Sequence, residues 1–435
     1  MLYPAVLESP SESLPLQRSA NPYANSRVLD VHRWSEYPEA KQATDEVFEC
    51  YRSNFGGQRI HETKLKKHIR NILCDLAYNL YEDPERYVAY SRNKNDYLQD
   101  SRYNALHIKY ALTVHVMDFL EREGYITSKS GFRDLETGVS YLSRVRPTES
   151  FHDLLRFHNL GLSMIERHPD TETILLRGPA QTGRKPLLPY EDSRQTTSWR
   201  QQITEYNELL SSSQLQIFGR DLPRQHVHRV FSNGSWDQNG RFYGGCWELF
   251  SKDKRNEITV NGSRLIELDY SGLHIALLYA KKGIRYTEDP YSIPGYGPEY
   301  RKLFKQIMLT VINASSFEEA RRAIQVKVNK DRSGKYPKGV KIKPLLESFC
   351  QRHEPIREYF FTGIGVFLQR TDATFTEHVL SHFVRTGTLV LPVHDSFMVA
   401  SSHEQELLSV MEDTYRRETG FLPVISGGRS TWLNS

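Results

Sequence analysis

The residues whose surroundings point to chemistry are two acids and a pair of cations, well separated along the chain. In "SRLIELDYSGLHIALLYAKKG", residues 263–283, Asp269 closes the strand-like run Leu265–Leu268, and an apolar helix follows from Leu273 after Gly272 eases the bend. An ionised carboxylate at the end of a buried strand costs several kcal/mol unless something meets it. Two partners would serve: the N–H groups of the following helix, which Asp269 would cap, or a cation. In "RTGTLVLPVHDSFMVASS" the apolar strand Leu389–Val393 meets His394 and Asp395, and a second apolar run, Phe397–Ala400, leaves. Strand, tight turn, strand is its content, with Asp395 at the tip where a hairpin more often carries Asn-Gly or Asp-Gly. If the two ribbons are neighbours in one sheet, Asp269 and Asp395 converge on an oxygen-only site suited to Mg²⁺ or Mn²⁺, with phosphates completing the sphere.

The cations lie in "YRKLFKQIMLTVINASSFEEA". Helical spacing puts Arg301, Lys305, Leu309 and Asn313 on one stripe, while Leu303, Phe304, Ile307, Met308 and Val311 form an apolar face for packing. Two cations on a helix surface are ordinary in isolation. Beside a carboxylate pair, a fork-shaped donor and a point charge one turn apart suit a triphosphate. The combination spells phosphoryl transfer, here nucleotidyl transfer: metals held by two acids activate a hydroxyl and steady the leaving pyrophosphate. Between the motifs, "VKVNKDRSGKYPKGVKIK" sets Lys327, Lys330, Arg332, Lys335, Lys338, Lys341 and Lys343 against Asp331 alone. It reads as a basic loop, either simply solvated or contacting a nucleic-acid backbone.

These segments, in this order, resemble the family A DNA polymerases and the single-subunit, phage-type RNA polymerases. "DYSGLH" resembles the first palm motif, "RKLFKQIMLTVINA" the fingers helix with its Arg-x3-Lys-x7-Tyr-Gly pattern, and "VHDSF" the second palm motif. "DQNGRFYGG" is similar to the Gly-Arg segment ahead of the first motif, and "FLQRTDATFTEHVLSHF" to the helix before the second acid. The resemblance covers about residues 200–430 and implies an α+β right-hand fold with palm, fingers and reduced thumb. It also implies Asp269 and Asp395 as metal ligands, and Arg301 and Lys305 on the nucleotide's phosphates, with Lys305 donating a proton to pyrophosphate. Arg241, His394 and Gln369 would lie near primer or template, and Lys327, Lys330, Arg332 and Lys335 along template or product. Two departures bear on the nucleotide pocket. Asn313-Ala314 stands where the family has Tyr-Gly, and His274 stands where the DNA-polymerase form has a Glu that excludes the ribose 2′-OH, which leaves the sugar open. The short spacing from Asp269 to Asp395 implies few fingers insertions, and no proofreading nuclease is recognisable in the N-terminal half. A compact primase or polymerase of a replicon fits. Expected partners are nucleoside triphosphates, a DNA template with primer or RNA product, and a replicon helicase or initiator protein. Two other readings stay open: a DNA-binding replication initiator with a weakly active polymerase-like core, and a template-independent nucleotidyltransferase.

The elements that must position these residues fit a chain of 435 residues, 38% apolar and 25% charged, which is ordinary globular composition for more than one domain. Residues 1–30, rich in Ser, Pro and Asn, read as an irregular arm. Residues 31–185 read as a mainly helical domain, and 186–435 as the catalytic palm and fingers, with the Gly/Pro-rich stretch 177–199 as the crossing between them. In "HETKLKKHIRNILCDLAYNLYED", Leu65, Ile69, Ile72, Leu76 and Leu80 mark an amphipathic helix. Residues 100–150 read as a long helix stopped by Gly124 and a hairpin turning around Asp134 to Gly138. They resemble the recognition helix and wing of winged-helix DNA-binding domains, which would enlist Lys109, Lys129, Arg133, Arg144 and Arg146. "RQQITEYNELLSSSQLQI" reads as a further helix, followed by short strands with tight glycine turns. The net charge of +4 permits a polyanionic partner without requiring one. The four cysteines, Cys50, Cys74, Cys246 and Cys350, form no ligand run and fit a reducing cytosol. Neither a signal peptide nor a membrane span is expected, so the reading is cytoplasmic.

Overall fold

The structure, a computed structural model, describes residues 25–55, 61–97, 102–133, 135, 140–180, 185–223 and 225–428. The chain is mixed α+β and divides into two units, one ending at Glu172 and the other beginning at Thr173.

In the first unit, β1 (Arg27–Val28) pairs in parallel with β3 (Val88–Tyr90); β3 pairs antiparallel with β7 (Ser143–Pro147), and β7 with β4 (Ile126–Lys129). Two smaller pairings join β2 (Arg33–Trp34) to β8 (Glu166–Arg167), and β5 (Phe132–Arg133) to β6 (Ser140–Tyr141). Helices α1 (Pro38–Phe55), α2 (Glu62–Glu82), α3 (Tyr110–Arg122) and α4 (Glu149–Phe157) supply the rest of a core that includes Val47, Leu65, Ile69, Ile72, Leu120 and Phe151. Of the apolar stripe expected in the second helix, Leu65, Ile69, Ile72 and Leu76 are buried and Leu80 is half-buried. The region is less purely helical than its sequence reads, because its strands are only two to five residues long and give little periodic signal. Part of the expected arm, Arg27–Val28, is a strand, and residues 1–24 lie outside the described residues. So does most of the turn expected around Asp134 to Gly138.

The expected helix and hairpin are present as α3 and the β4–β7 ribbon. However, the exposed positions of α3 include Asp118 and Glu121, Arg144 is 1% exposed, and Arg146 pairs with Glu85 at 2.8 Å. Of the five cations expected there, Lys109, Lys129 and Arg133 are exposed, while Arg144 and Arg146 are turned inward or paired. On α2, Lys66 is occupied, 2.9 Å from both Asp45 and Glu62, while Lys64 is exposed.

In the second unit, β9 (Ile174–Leu176) lies parallel to β12 (His228–Ser232), which forms a hairpin with β13 (Ser235–Tyr243). This pairing moves the boundary from the expected 185 to Glu172/Thr173, since residues 174–176 belong to a sheet completed some fifty residues later. Helix α5 (Arg194–Ser212) begins six residues before Arg200, where the helix was expected to start. Ser193 and Thr196 close a reciprocal capping box there, and the Gly/Pro/Ser-rich context hides it. The tail of that expected helix, Leu215–Ile217, is instead strand β10, which pairs with β11 (Arg220–Asp221).

The main sheet runs β11-β10-β14-β15-β17-β16, with β14 (Ile258–Val260), β15 (Ser263–Tyr270), β16 (Leu391–Val393) and β17 (Ser396–Ala400). β18 (Ile425–Gly427) pairs with the end of β15, on the edge opposite β17. Helices α6 (Lys252–Arg255), α7 (Leu273–Lys281), α8 (Arg301–Val311), α9 (Phe317–Lys330), α10 (Ile342–Arg352), α11 (Gly365–Arg385) and α12 (Glu404–Thr419) complete the unit. Its core joins Leu268 and Tyr270 of β15 to Phe397 and Val399 of β17, Phe304 of α8 and Phe375 of α11. The two apolar ribbons are therefore neighbours in one sheet.

Candidate functional site

Side chains alternate along a strand, so burying Leu268 and Tyr270 turns Glu267 and Asp269 to the other face of β15. β17 runs antiparallel beside it with Asp269 opposite Ser396, and the Tyr270 N–H donates to the Asp395 carbonyl at 3.2 Å. That register brings the two acids together at one end of the sheet. Val393 pairs with Ser396, so His394 and Asp395 form a two-residue turn, and His394 occupies the left-handed region at φ 58°. A non-glycine residue there carries strain, of the kind that collects at functional sites.

The capping explanation for Asp269 does not hold. The N-cap of α7 is Gly272, which makes no side-chain capping bond. Its φ is +61°, and a Cβ there would meet Pro290 Cγ at 2.7 Å, so glycine is required by both conformation and space. Neither Asp269 nor Asp395 accepts a side-chain hydrogen bond or joins an ion pair among the described residues. Burial, and next to it the charge of Asp395, push the Asp269 carboxyl up to about 7; Lys305 and Lys252 pull it down, and Glu267 adds to the rise. The neighbouring carboxylate thus adds to the cost of ionising Asp269. Glu267, by contrast, is neutralised: Arg255 donates to both of its oxygens, with contacts of 2.7 and 3.0 Å from Nη2, and Ser396 Oγ donates to it at 2.8 Å.

Helix α8 packs through Leu303, Phe304, Ile307, Met308 and Val311 and exposes Arg301, Lys305 and Leu309. A cleft of about 610 Å³ is lined by Asp269, Asp395, Arg301, Lys305 and Asn313, together with Arg241, His274, Gln369 and His394. Every residue singled out around the two palm-like motifs, the Gly-Arg segment and the α8 stripe reaches this one cleft. Two side chains depart from what their types promised. The Arg301 guanidinium is held by Asp289, Nε to Oδ2 at 2.6 Å and Nη2 to Oδ1 at 3.2 Å, so it is not a free anion receptor. Asn313 lies two residues past the end of α8, where its Nδ2 donates to the Leu309 carbonyl at 2.7 Å.

A third departure involves Arg241. A bulge in the β12–β13 ladder, with Asn239 and Gly240 at positive φ, re-aims β13 toward α11. Arg241 there grips the Asp372 carboxylate through Nε, at 3.0 and 3.1 Å, and through Nη2. His274 Nε2 joins the same carboxylate at 3.0 Å. Arg241 is thus committed to Asp372 rather than left free for a phosphate.

Sequence reasoning missed three residues of the cleft region: Asp289, Tyr291 and Asp372. Asp372 had a signal, since it is an acid at a core position of the apolar stripe Leu368, Phe375, Val379 and Phe383 of α11. Asp289 and Tyr291 sit in the irregular segment between α7 and α8 and carried none. Tyr291 is 6% exposed, and the guanidinium of Arg301 lies 5.2 Å from its ring centroid.

The basic segment does not join the cleft lining. Lys327 and Lys330 belong to the last turns of α9 rather than to a loop; Arg332 and Lys335 follow it in irregular chain, and all four are exposed. None of the four forms an ion pair among the described residues. Among the described residues, no cluster of three or more His, Cys, Asp or Glu side chains is arranged to hold a metal, and no helix is long and apolar enough to cross a membrane. In comparison with known proteins, no family model matches the sequence, and no curated protein is significantly similar to it.

Proposed function

We propose that the chain is a metal-dependent nucleotidyltransferase that polymerises nucleotides on a nucleic-acid template, as a polymerase or primase. The observation that carries this reading is the pair Asp269 and Asp395, adjacent at the sheet end and without a side-chain partner among the described residues, lining one cleft with Lys305 and Arg301. In this reading the β15–β17 sheet with α11 is the palm, and α8 to α10 form reduced fingers. The donor set fits Mg²⁺ or Mn²⁺, which are held by one or two carboxylates with substrate phosphates and water as the remaining ligands. Bound there, the ion supplies Lewis-acid activation of the attacking hydroxyl and charge neutralisation at the α-phosphate.

The chain's own groups do the rest. Lys305, whose charge already acts on Asp269, meets the triphosphate as it enters and stabilises the charge accumulating on pyrophosphate. Arg301 joins it by exchanging Asp289 for a phosphate oxygen, and the bidentate geometry is similar for both partners. The primer or first-nucleotide hydroxyl forms a bond to the α-phosphorus as the bond to the bridging oxygen breaks. Gln369 and His394 line the side from which that hydroxyl approaches, and Lys327, Lys330, Arg332 and Lys335 attract the nucleic-acid backbone. The test incubates the full chain with primed and unprimed templates, Mg²⁺ or Mn²⁺, and ribo- or deoxyribonucleoside triphosphates. The expected result is labelled product that disappears in Asp269→Ala and Asp395→Ala. Absence of incorporation under every condition, or undiminished incorporation by either variant, refutes the proposal.

A further inference from the structure

Behind the cleft, one buried histidine has both ring nitrogens assigned by its partners. His353 follows the last residue of α10 and is 0% exposed. Its Nε2 lies 3.0 Å from the carbonyl of Pro290, a group that can only accept, so Nε2 carries the hydrogen. Its Nδ1 then accepts from the hydroxyl of Tyr279 in α7, 3.2 Å away. The neutral imidazole that these two bonds describe is also the form that burial favours, since burial pushes the ring's pKa down to about 4. Tyr279, Tyr286 and Phe349 surround it, with ring centroids 4.7 to 5.9 Å from its own. What this histidine grips is the segment between α7 and α8. The Pro290 ring sits against Gly272, and the Tyr291 N–H donates to Asp289 Oδ1 at 3.1 Å. Next along the chain, the buried Tyr291 ring lies 5.2 Å from the Arg301 guanidinium carbon and 6.0 Å from Lys305 Nζ. A cation held over a ring keeps N–H groups available for an anion, so Arg301 can retain Tyr291 when a phosphate replaces Asp289.

From this geometry we infer that His353 is a positioning residue: by holding the Pro290 carbonyl it fixes the Tyr291 ring beneath Arg301 and Lys305, and so sets the affinity for a triphosphate from outside the cleft. The inference rests on the nucleotidyl-transfer reading and names what preorganises its phosphate-binding wall. His353 is not among the residues lining the cleft, and its influence passes through Pro290 and Tyr291. The chain of contacts joins α7, the end of α10 and the segment leading into α8, so two cations of one helix depend on a bond made two elements away. A phenyl ring in place of the imidazole keeps the packing but leaves the Pro290 carbonyl without this donor, and a buried acceptor that loses its partner pulls the backbone toward another. A glutamine there offers an amide N–H to the same carbonyl and restores the grip.

The experiment measures binding of inorganic tripolyphosphate in Mg²⁺ by calorimetry on the full chain, with Tm and nucleotide incorporation recorded for each protein. His353→Phe should weaken tripolyphosphate binding by roughly 3- to 10-fold, the scale of one hydrogen bond lost. It should raise the nucleotide KM by a similar factor and change kcat by less than about twofold, because the acids are untouched. His353→Gln should recover most of the affinity. In a Tyr291→Leu background, His353→Phe should cost nothing further, since the residue through which it acts is gone. A histidine that serves stability alone would lower Tm in both His353 variants and leave the affinity of the folded protein unchanged. If His353→Phe does not fold, Tyr279→Phe, which removes only the hydroxyl behind the imidazole, should weaken binding by about twofold. Unchanged affinity in the variant that folds, equal weakening in His353→Gln, or losses that add fully with Tyr291→Leu overturns the positioning inference and leaves nucleotidyl transfer standing. Absence of tripolyphosphate binding by the wild type overturns the inference, and absence of incorporation as well overturns the reading beneath it.

Discussion

Replacing Asp395 by Asn removes one charge of the bare acid pair and keeps the shape of the turn, including the carbonyl that accepts from Tyr270. Asp269 is displaced from its ordinary 3.8 to about 7, which corresponds to roughly 4 kcal/mol between its protonation states. Burial is the larger cause and Asp395 the next, so on the order of 1–2 kcal/mol is repulsion between the acids. The sign follows from proton binding. The folded carboxyl holds its proton from about pH 4 to about 7 while the unfolded one has lost it, so this group's contribution to stability declines as pH rises through that window. At pH 8 without metal, Asp395→Asn should therefore be more stable than wild type by about 1–2 kcal/mol. For a unit of this size that is a rise of about 2–8 °C in Tm. At pH 5, with Asp269 protonated in both proteins, the difference should nearly vanish.

Divalent ions should reverse the order. Millimolar Mg²⁺ should raise the wild-type Tm by binding the folded state, and the variant, with half the proposed ligand pair gone, should respond little. Its incorporation rate should fall roughly 10²–10³-fold, the scale for losing one preorganised electrostatic group. Thermal unfolding at pH 5 and pH 8, with and without Mg²⁺, reads all these outcomes. A variant less stable than wild type at pH 8 without metal, or equal Mg²⁺ stabilisation of both proteins, would refute the view that the two acids share a cation site.

Removing Lys305 as Lys305→Ala should weaken nucleotide binding, seen as a raised KM, and lower Tm little, because the side chain is exposed and makes no ion pair among the described residues. Neutralising Lys327, Lys330, Arg332 and Lys335 together should reduce the salt dependence of nucleic-acid binding; if all four meet phosphates, the log–log slope falls by roughly 3–4 in filter-binding titrations. Gly272→Ala, which introduces a Cβ at 2.7 Å from Pro290 Cγ and a positive φ, should destabilise the protein by about 1–3 kcal/mol in urea unfolding. His394→Gly relieves the left-handed turn, so it should hold or raise stability while lowering primer extension.

What the sequence made legible was what local periodicity controls. The stripe of α8 and the apolar runs around Asp269 and Asp395 have periods that dictate a face, and the two acids were conspicuous because each interrupts an apolar segment. Asp372 interrupts the stripe of α11 in the same way, but it lies inside a helix rich in polar residues, where one more acid does not stand out. The Arg301–Asp289 pair could not be read locally. Twelve positions separate its members, and no periodic element connects them. The strands β9 and β10 were lost for a related reason: each is three residues long and is defined by a partner elsewhere, β12 for one and β14 for the other. The Glu172/Thr173 boundary and the true end of the α5 helix both depend on those pairings.

The distribution of compensation among the acids argues for the site more strongly than their number does. Glu267 has Arg255, Asp289 has Arg301, and Asp372 has Arg241, each pair in hydrogen-bond contact. Arginine, planar and permanently charged, is the residue suited to hold a carboxylate in such a pair. Among the described residues, Asp269 and Asp395 are the two near the cleft left without one, although Arg241 is close enough for its charge to act on Asp395. In the proposed function, this bare pair is the place where a cation from solution would bind. In that reading a triphosphate would arrive without unpaired charge: the two acids would hold the cation, Lys305 and Arg301 would meet the phosphates, and Asp289 would be left where water can solvate it. Asp289→Asn should accordingly tighten nucleotide binding by removing the competitor for Arg301. Weaker binding in that variant would mean that Asp289 aligns the guanidinium instead of competing for it.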